Sequence, residues 1–324
     1  MLTRRSAMAL AVASWAAPFA SAAAAELPPG PMRFMVGFPP GGVSDLVARL
    51  LAPLLSQRLQ RPVVVENRSG AGGMIAMTAV ASAAPDGRTI GFGTLGMLSI
   101  TRHIVDRMPL DPLRDLALLG LIATSPQLFV VHPGLAPRSL AELLDYARAN
   151  PGRVNVGSSG NGSIPHLTIE LLRERTGVEM THVPYRGVAP VITDLMSGQI
   201  QASIADIPAF LEPVRNGTLR AVTLAGPARS SLLPDVPTTA EAGLPDFEVE
   251  NWYGLIAPAA TPLAVQQLLN DTLREALADE GFSAKLTEFG AVAHGTSIAE
   301  FRRFAEAESE RWGAVARRVG AKMD

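Results

Sequence analysis

Two short loops hold the residues whose types and spacing suit chemistry. The first is Phe38-Pro39-Pro40-Gly41-Gly42, which follows the apolar run Phe34-Met35-Val36 and precedes Ser44-Asp45. The second is Ser158-Ser159-Gly160-Asn161-Gly162-Ser163, which follows Val154-Asn155-Val156-Gly157 and precedes Pro165. Each reads as a strand running into a glycine turn and then a helix. Ser44 suits the N-cap of the first helix, and the glycines let backbone N–H groups face whatever sits above the strand end. The first turn of a helix has unsatisfied N–H groups and a partial positive charge, so both loops favour an anion. One helix end contributes about 0.3–1 kcal/mol per negative group, so a useful affinity needs several such contacts together. Taken alone, either loop also fits a tight strand-to-helix turn with no ligand.

Other polar and aromatic residues stand at strand ends. Asp206 follows the strand Ile200–Ala205, where it either accepts a hydrogen bond from a ligand ammonium or hydroxyl or caps the helix starting at Ile207. Tyr185-Arg186, before Gly187, suits either a ligand contact at the cleft rim or a solvated or interlobe position. Trp252 and its neighbour Tyr253 form a pocket wall, or Trp252 fills a core. Arg68 suits fixing its own glycine loop through backbone carbonyls.

Evidence for catalysis is thin. The five histidines (103, 132, 166, 182 and 294) show no HExxH spacing, and the chain has no cysteine, so neither a metal nor a cofactor is expected. Gly157-Ser158-Ser159-Gly160 is not a nucleophile elbow, and Gly70-Ala71-Gly72-Gly73 is neither a dinucleotide fingerprint nor a P-loop. A binding protein is therefore expected rather than an enzyme. An exported α/β hydrolase or nucleotide-binding enzyme is the alternative from another class.

The elements that must position these loops alternate strand and helix. Val63-Val64-Val65 and Thr89–Gly93 repeat the strand-loop-helix unit of the opening, which argues for a parallel sheet with its loops gathered at the strand carboxyl ends. A second block starts near Ser125, with a strand at Leu128–Val131 and a helix opened by the Ser139…Glu142 capping box. After Ala225, Pro227, Pro234, Pro237 and Pro245 mark a return crossing. A long amphipathic helix runs from Ser297 to about Val319. The last hundred residues have too few strands for a sheet of their own and complete the first one. Pro53 lies inside the first helix, where it is expected to kink or split it at a cost of up to ~3 kcal/mol.

Residues 1–25 read as a targeting segment. Arg4-Arg5 precede an apolar run broken by Pro18, and Ala23-Ala24-Ala25 offers a cleavage site before Glu26. Both a twin-arginine and a general secretory route fit, with an uncleaved membrane anchor as the other reading. The chain has 324 residues, 48% of them hydrophobic, and a net charge of −2 that becomes two units more negative without Arg4 and Arg5. That length builds two lobes, and no basic stripe supports nucleic-acid binding.

Several segments together resemble one family over essentially the whole mature chain. They are Gly37–Gly42 with Asp45, Val65–Arg68 with Gly70–Gly73, Ala84–Gly87, Gly160-Asn161-Gly162 with His166-Leu167, Thr181–Gly187, Leu233–Pro237 and Glu241–Leu244. The chain resembles the Bug family of extracytoplasmic solute receptors, also described as tripartite tricarboxylate transporter substrate-binding proteins. The resemblance implies an α/β, two-lobed class II periplasmic-binding (Venus flytrap) fold. Each lobe is then a mostly parallel sheet flanked by helices, with two interlobe crossings. Lobe one is expected from residues 26–124 and 225–324, and lobe two from 125–224. It further implies a monomeric periplasmic receptor that captures a small carboxylate and delivers it to a membrane transporter. In the family one ligand carboxylate is held, partly through water, by the loops that fall here on Phe38–Gly42 and Ser158–Ser163. Two departures stand out. Ala205-Asp206-Ile207 replaces the frequent Phe-Asp-Asn, and Thr94 is followed by Leu95-Gly96-Met97-Leu98 where small polar residues and a His are usual. An apolar far wall at Thr94-Leu95 argues against a highly charged tricarboxylate.

Overall fold

The computed structural model describes residues 27–322, so the targeting segment and its cleavage site lie outside the described residues. In chain order the first elements are β1 (Met32–Val36), α1 (Val43–Leu59), β2 (Val63–Asn67), α2 (Met74–Ala81), β3 (Thr89–Thr94), α3 (Thr101–Ile104) and β4 (Leu116–Val131). Next come α4 (Leu140–Ala149), β5 (Asn155–Ser158), α5 (Ile164–Thr176), β6 (Thr181–Pro184), α6 (Val188–Met196), β7 (Ala202–Asp206), α7 (Ile207–Arg215) and β8 (Arg220–Leu224). The chain closes with β9 (Glu250–Pro258), α8 (Leu263–Leu277), α9 (Glu280–Glu288), β10 (Val292–Ala293) and α10 (Ile298–Arg318). Among the described residues no helix is long and apolar enough to cross a membrane.

The strands form two sheets that share β4. Leu116–Pro126 pairs with β9, and the order outward is β9, β3, β1, β2, with β10 also on β4. Gln127–Val131 lies between β7 and β8, and β7 leads on to β5 and β6. Both sheets are mixed. Parallel pairing joins β1 to β2 and β3, and β5 to β6 and β7, while every pair made by β4 or β9 is antiparallel. The antiparallel share follows from the crossings, because a strand that leaves one sheet for the other and the strand that returns must run in opposite directions.

The first crossing is β4 itself and the second is the segment after β8. Three backbone bonds stitch them together: Gln127 N–H donates to Val249 (3.0 Å), Ala225 N–H to Gln127 (2.8 Å) and Val249 N–H to Ala225 (2.8 Å). All sixteen residues of β4 are buried. β9 returns to the first sheet, as the shortage of strands after residue 225 requires.

Two local expectations need correction. The N-cap of α1 is Gly42, with no side-chain cap bond, and Ser44 is the second helical residue. Pro53 does not split α1, which runs unbroken from Val43 to Leu59. Val47, Ala48, Leu51, Ala52 and Leu55 are all buried around it, and at about 1.5–3 kcal/mol for each large apolar side chain their packing outweighs one lost backbone bond. The expected side-chain cap at Ser139 forms. Ser139 accepts from Glu142 N–H, and Ser297 with Glu300 forms a full capping box at α10.

Candidate functional site

The loop between β1 and α1 is fixed from below by a buried carboxylate. Asp45, 2% exposed, accepts from Gly41 N–H (2.9 Å), from Arg49 Nε (2.9 Å) and from Asn67 Nδ2 (2.8 Å). Asn67 also donates to Phe38 O (3.0 Å) and accepts from Arg49 (3.0 Å), so the end of β2 and the first turns of α1 set the loop as one unit. Burial raises the Asp45 pKa, but the bonds from Arg49, Gly41 and Asn67 outweigh it and hold the group below its usual range. Above this anchor Pro39, Pro40, Gly41 and Gly42 are exposed and Phe38 is partly exposed. Gly41 has φ +86° with nothing within 4 Å of a built Cβ, a conformation only glycine adopts without strain. With no side chain capping α1, its first-turn N–H groups remain open toward this turn.

The second loop is organised differently. Ser158, 1% exposed, accepts from Gly160 N–H (3.2 Å), and its hydroxyl lies 2.6 Å from His182 Nε2. His182 stacks on His166 with ring centroids 4.1 Å apart and planes at 13°. His166 Nδ1 accepts from Gly162 N–H (3.0 Å), and Ser163 caps α5 by accepting from His166 N–H. One first-turn N–H of α5 is therefore satisfied by its N-cap side chain, which α1 lacks. Ser159 and Gly160 are partly exposed and Asn161 is exposed, so they form the face turned outward.

Burial, helped by His166 and Arg173, pushes the His182 pKa down to about 4. Below its ordinary value of 6.5 the unfolded chain binds a proton that the folded one refuses, so stability falls as pH drops from 6.5 to about 4. His182→Gln is expected to flatten the fall in urea midpoint over that interval. An unchanged slope would mean the pair does not govern acid sensitivity.

The remaining predicted residues separate clearly. Arg186 is exposed. Tyr185 is partly exposed, donates its hydroxyl to Asp194 on α6 (2.7 Å) and packs against the core of the second lobe. Thr94 and Leu95 are buried, at 5% and 0%, and Thr94 Oγ1 accepts from Met97 N–H, so they hold the turn after β3 rather than face a solute. Trp252 is fully buried against Phe301 and Phe304 and donates to Glu308 on α10, so it is core, not pocket wall. Alternation along β9 sends Tyr253 to the opposite face.

Asp206 occupies the N-cap position of α7 without capping it. Its carboxylate accepts from Gln127 Nε2 on β4, from Asn251 Nδ2 (3.0 Å) and from Tyr253 Oη (3.2 Å) on β9. Burial raises its pKa despite these three donors. Gln127 and Asn251 escape a reading of the sequence. The one available signal is that both are amides set in otherwise apolar strands beside the crossing.

Two lobes joined by two crossing strands, with an open helix N-terminus at the edge of one, define a solute-binding protein of the periplasmic type. The model of the tripartite tricarboxylate transporter family receptor matches residues 47–321, and the chain belongs to that family. It is 36% identical over 315 residues to Protein BugT of Bordetella pertussis, covering 97% of this chain and 96% of that one. Among solved structures it is similar to R. palustris Rpa4515 with adipate, at 37% identity and TM-score 0.82, covering 91% and 99% of the two chains. It is also similar to MatC from Rhodopseudomonas palustris with bound malate, at 32% identity and TM-score 0.77, covering 89% and 99%.

Proposed function

We propose that the chain is an exported periplasmic receptor that closes two lobes on one small carboxylate and delivers it to a membrane transporter of the tripartite type. The observation that carries this reading is the N-terminus of α1. It is uncapped, lies under the exposed Pro39–Gly42 turn and is held rigid by Asp45 and Asn67. Rigid backbone donors at a helix start suit a carboxylate, which they meet without having to reorganise. The malate and adipate bound by two relatives fit the same ligand class. Phe38, Pro39, Pro40, Gly41 and Gly42 form one jaw, and Ser159, Gly160, Asn161 and Arg186 the other. Ser158 positions the second jaw from below. The lobes divide as 26–124 with 225–324 against 125–224, and the stitched residues Gln127, Ala225 and Val249 are the hinge. The working form is a monomer lacking residues 1–25.

The test is chemical. Protein purified from its native host is unfolded and the released small molecule identified by mass spectrometry. A carboxylate that rebinds unchanged with Kd near micromolar, about 8 kcal/mol, is expected. A ligand without a carboxylate, or its conversion to a product on incubation, overturns the reading.

A further inference from the structure

The cluster around Asp206 has more acceptors than its own donors satisfy. Gln127 pairs directly across the sheet with Asp206, and both amides turn their NH2 groups to the carboxylate. Their carbonyl oxygens, Gln127 Oε1 and Asn251 Oδ1, are buried without a hydrogen-bond partner among the described residues. Gln127 itself is 1% exposed. Among the described residues five buried side-chain polar atoms are left unpaired in this way, and two of them flank one carboxylate. Buried acceptors are almost always paired, so two orphans on one acid point to a missing donor.

Position makes that donor part of the ligand. Asp206 ends β7, and Tyr253 lies opposite Thr94 at the end of β3, so the cluster sits at the strand edges that bear the two loops, beside the hinge. Tyr253 belongs to the same buried cluster as Val47 and Leu51 of α1, the helix that follows the Pro39–Gly42 turn. We infer that Asp206, Gln127 Oε1 and Asn251 Oδ1 form an ammonium subsite, and that the solute is an amino carboxylate with its amine remote from the acid.

The inference rests on the carboxylate reading and sharpens it. An ammonium brings three N–H donors and a positive charge to two orphan oxygens and one anion, whereas a hydroxyl brings one donor and no charge. A second ligand carboxylate is excluded there, because it adds acceptors and repels Asp206. The separation follows from the sheet. Asn251 of the subsite is on β9, two strands from β1 and roughly 10 Å away, so a carboxylate at the α1 turn and an ammonium beside Asn251 need several carbons between them.

Calorimetry on protein refolded free of ligand decides the matter with 5-aminopentanoate, pentanoate and glutarate. The amino acid is expected to bind at least tenfold tighter than both others, with the advantage lost in Asp206→Asn and reduced in Asn251→Leu. The wild-type ranking stands even if a variant fails to fold. Glutarate or pentanoate binding as well as 5-aminopentanoate overturns the subsite and leaves the carboxylate reading intact. Failure of all three to bind, with a carboxylate lacking an amine released from native protein, also overturns it. A released ligand without a carboxylate ends both readings.

Discussion

Replacing Gly160 by valine is expected to cost at least tenfold in ligand affinity, about 1.4 kcal/mol, with the fold retained. Gly160 has φ +131°, outside the range that a β-branched residue tolerates, and a Cβ there lies 3.2 Å from the Tyr185 carbonyl oxygen. That carbonyl belongs to a segment tied back to the loop, since Tyr185 N–H donates to Ser158 and Gly187 N–H to Ser159. Neither side can give way, so the loop must move. Gly41→Val strains the first jaw in the same sense through its φ of +86°, but into open space, so the smaller structural effect belongs there. Calorimetry with the native ligand, alongside circular dichroism, is the check. Wild-type affinity in both variants would mean that the anion does not lie against these turns.

The largest loss of stability is expected from Gly254→Val. Gly254 sits in β9 between β3 and β4, and a Cβ there falls 2.1 Å from Phe301 Cζ and 2.6 Å from Cε1. Phe301 is fully buried and stacks edge-on against Trp252, so its ring has nowhere to retreat. Overpacking of this kind costs about 1–3 kcal/mol, and more where backbone must shift. A drop of at least ~3 kcal/mol in urea unfolding is therefore expected, partly restored by adding Phe301→Ala. A neutral Gly254→Val would show that β9 is not held against α10 as described.

Local signals carried most of the fold. The βα loops, the capping residues at Ser139 and Ser297 and the return crossing after Ala225 are read within a few residues of sequence. The first half of β4 is not. Leu116–Thr124 is a continuous apolar run, and without alternation it carries no period that distinguishes strand from helix. The site divides the same way. Glycine turns mark both loops, but their likeness hides a difference at the helix starts: Ser163 caps α5, whereas Gly42 at α1 has no side chain with which to cap. The Asp206 cluster joins residues 45 to 79 positions apart, and no local pattern encodes that. Trp252 and Tyr253 differ in role only because neighbours on a strand face opposite ways.

The position of β9 also sets an order of events during folding. The first sheet needs β9 between β3 and β4, yet more than 150 residues separate the end of β3 from the start of β9. The second sheet draws only on β4 to β8, which are contiguous in sequence. Lobe two can therefore assemble from local contacts while β3 and the adjoining edge of β4 remain unpaired, and loop closure over that span slows the last step. Until β9 docks, two buried-type strand edges stay open to pairing with other chains.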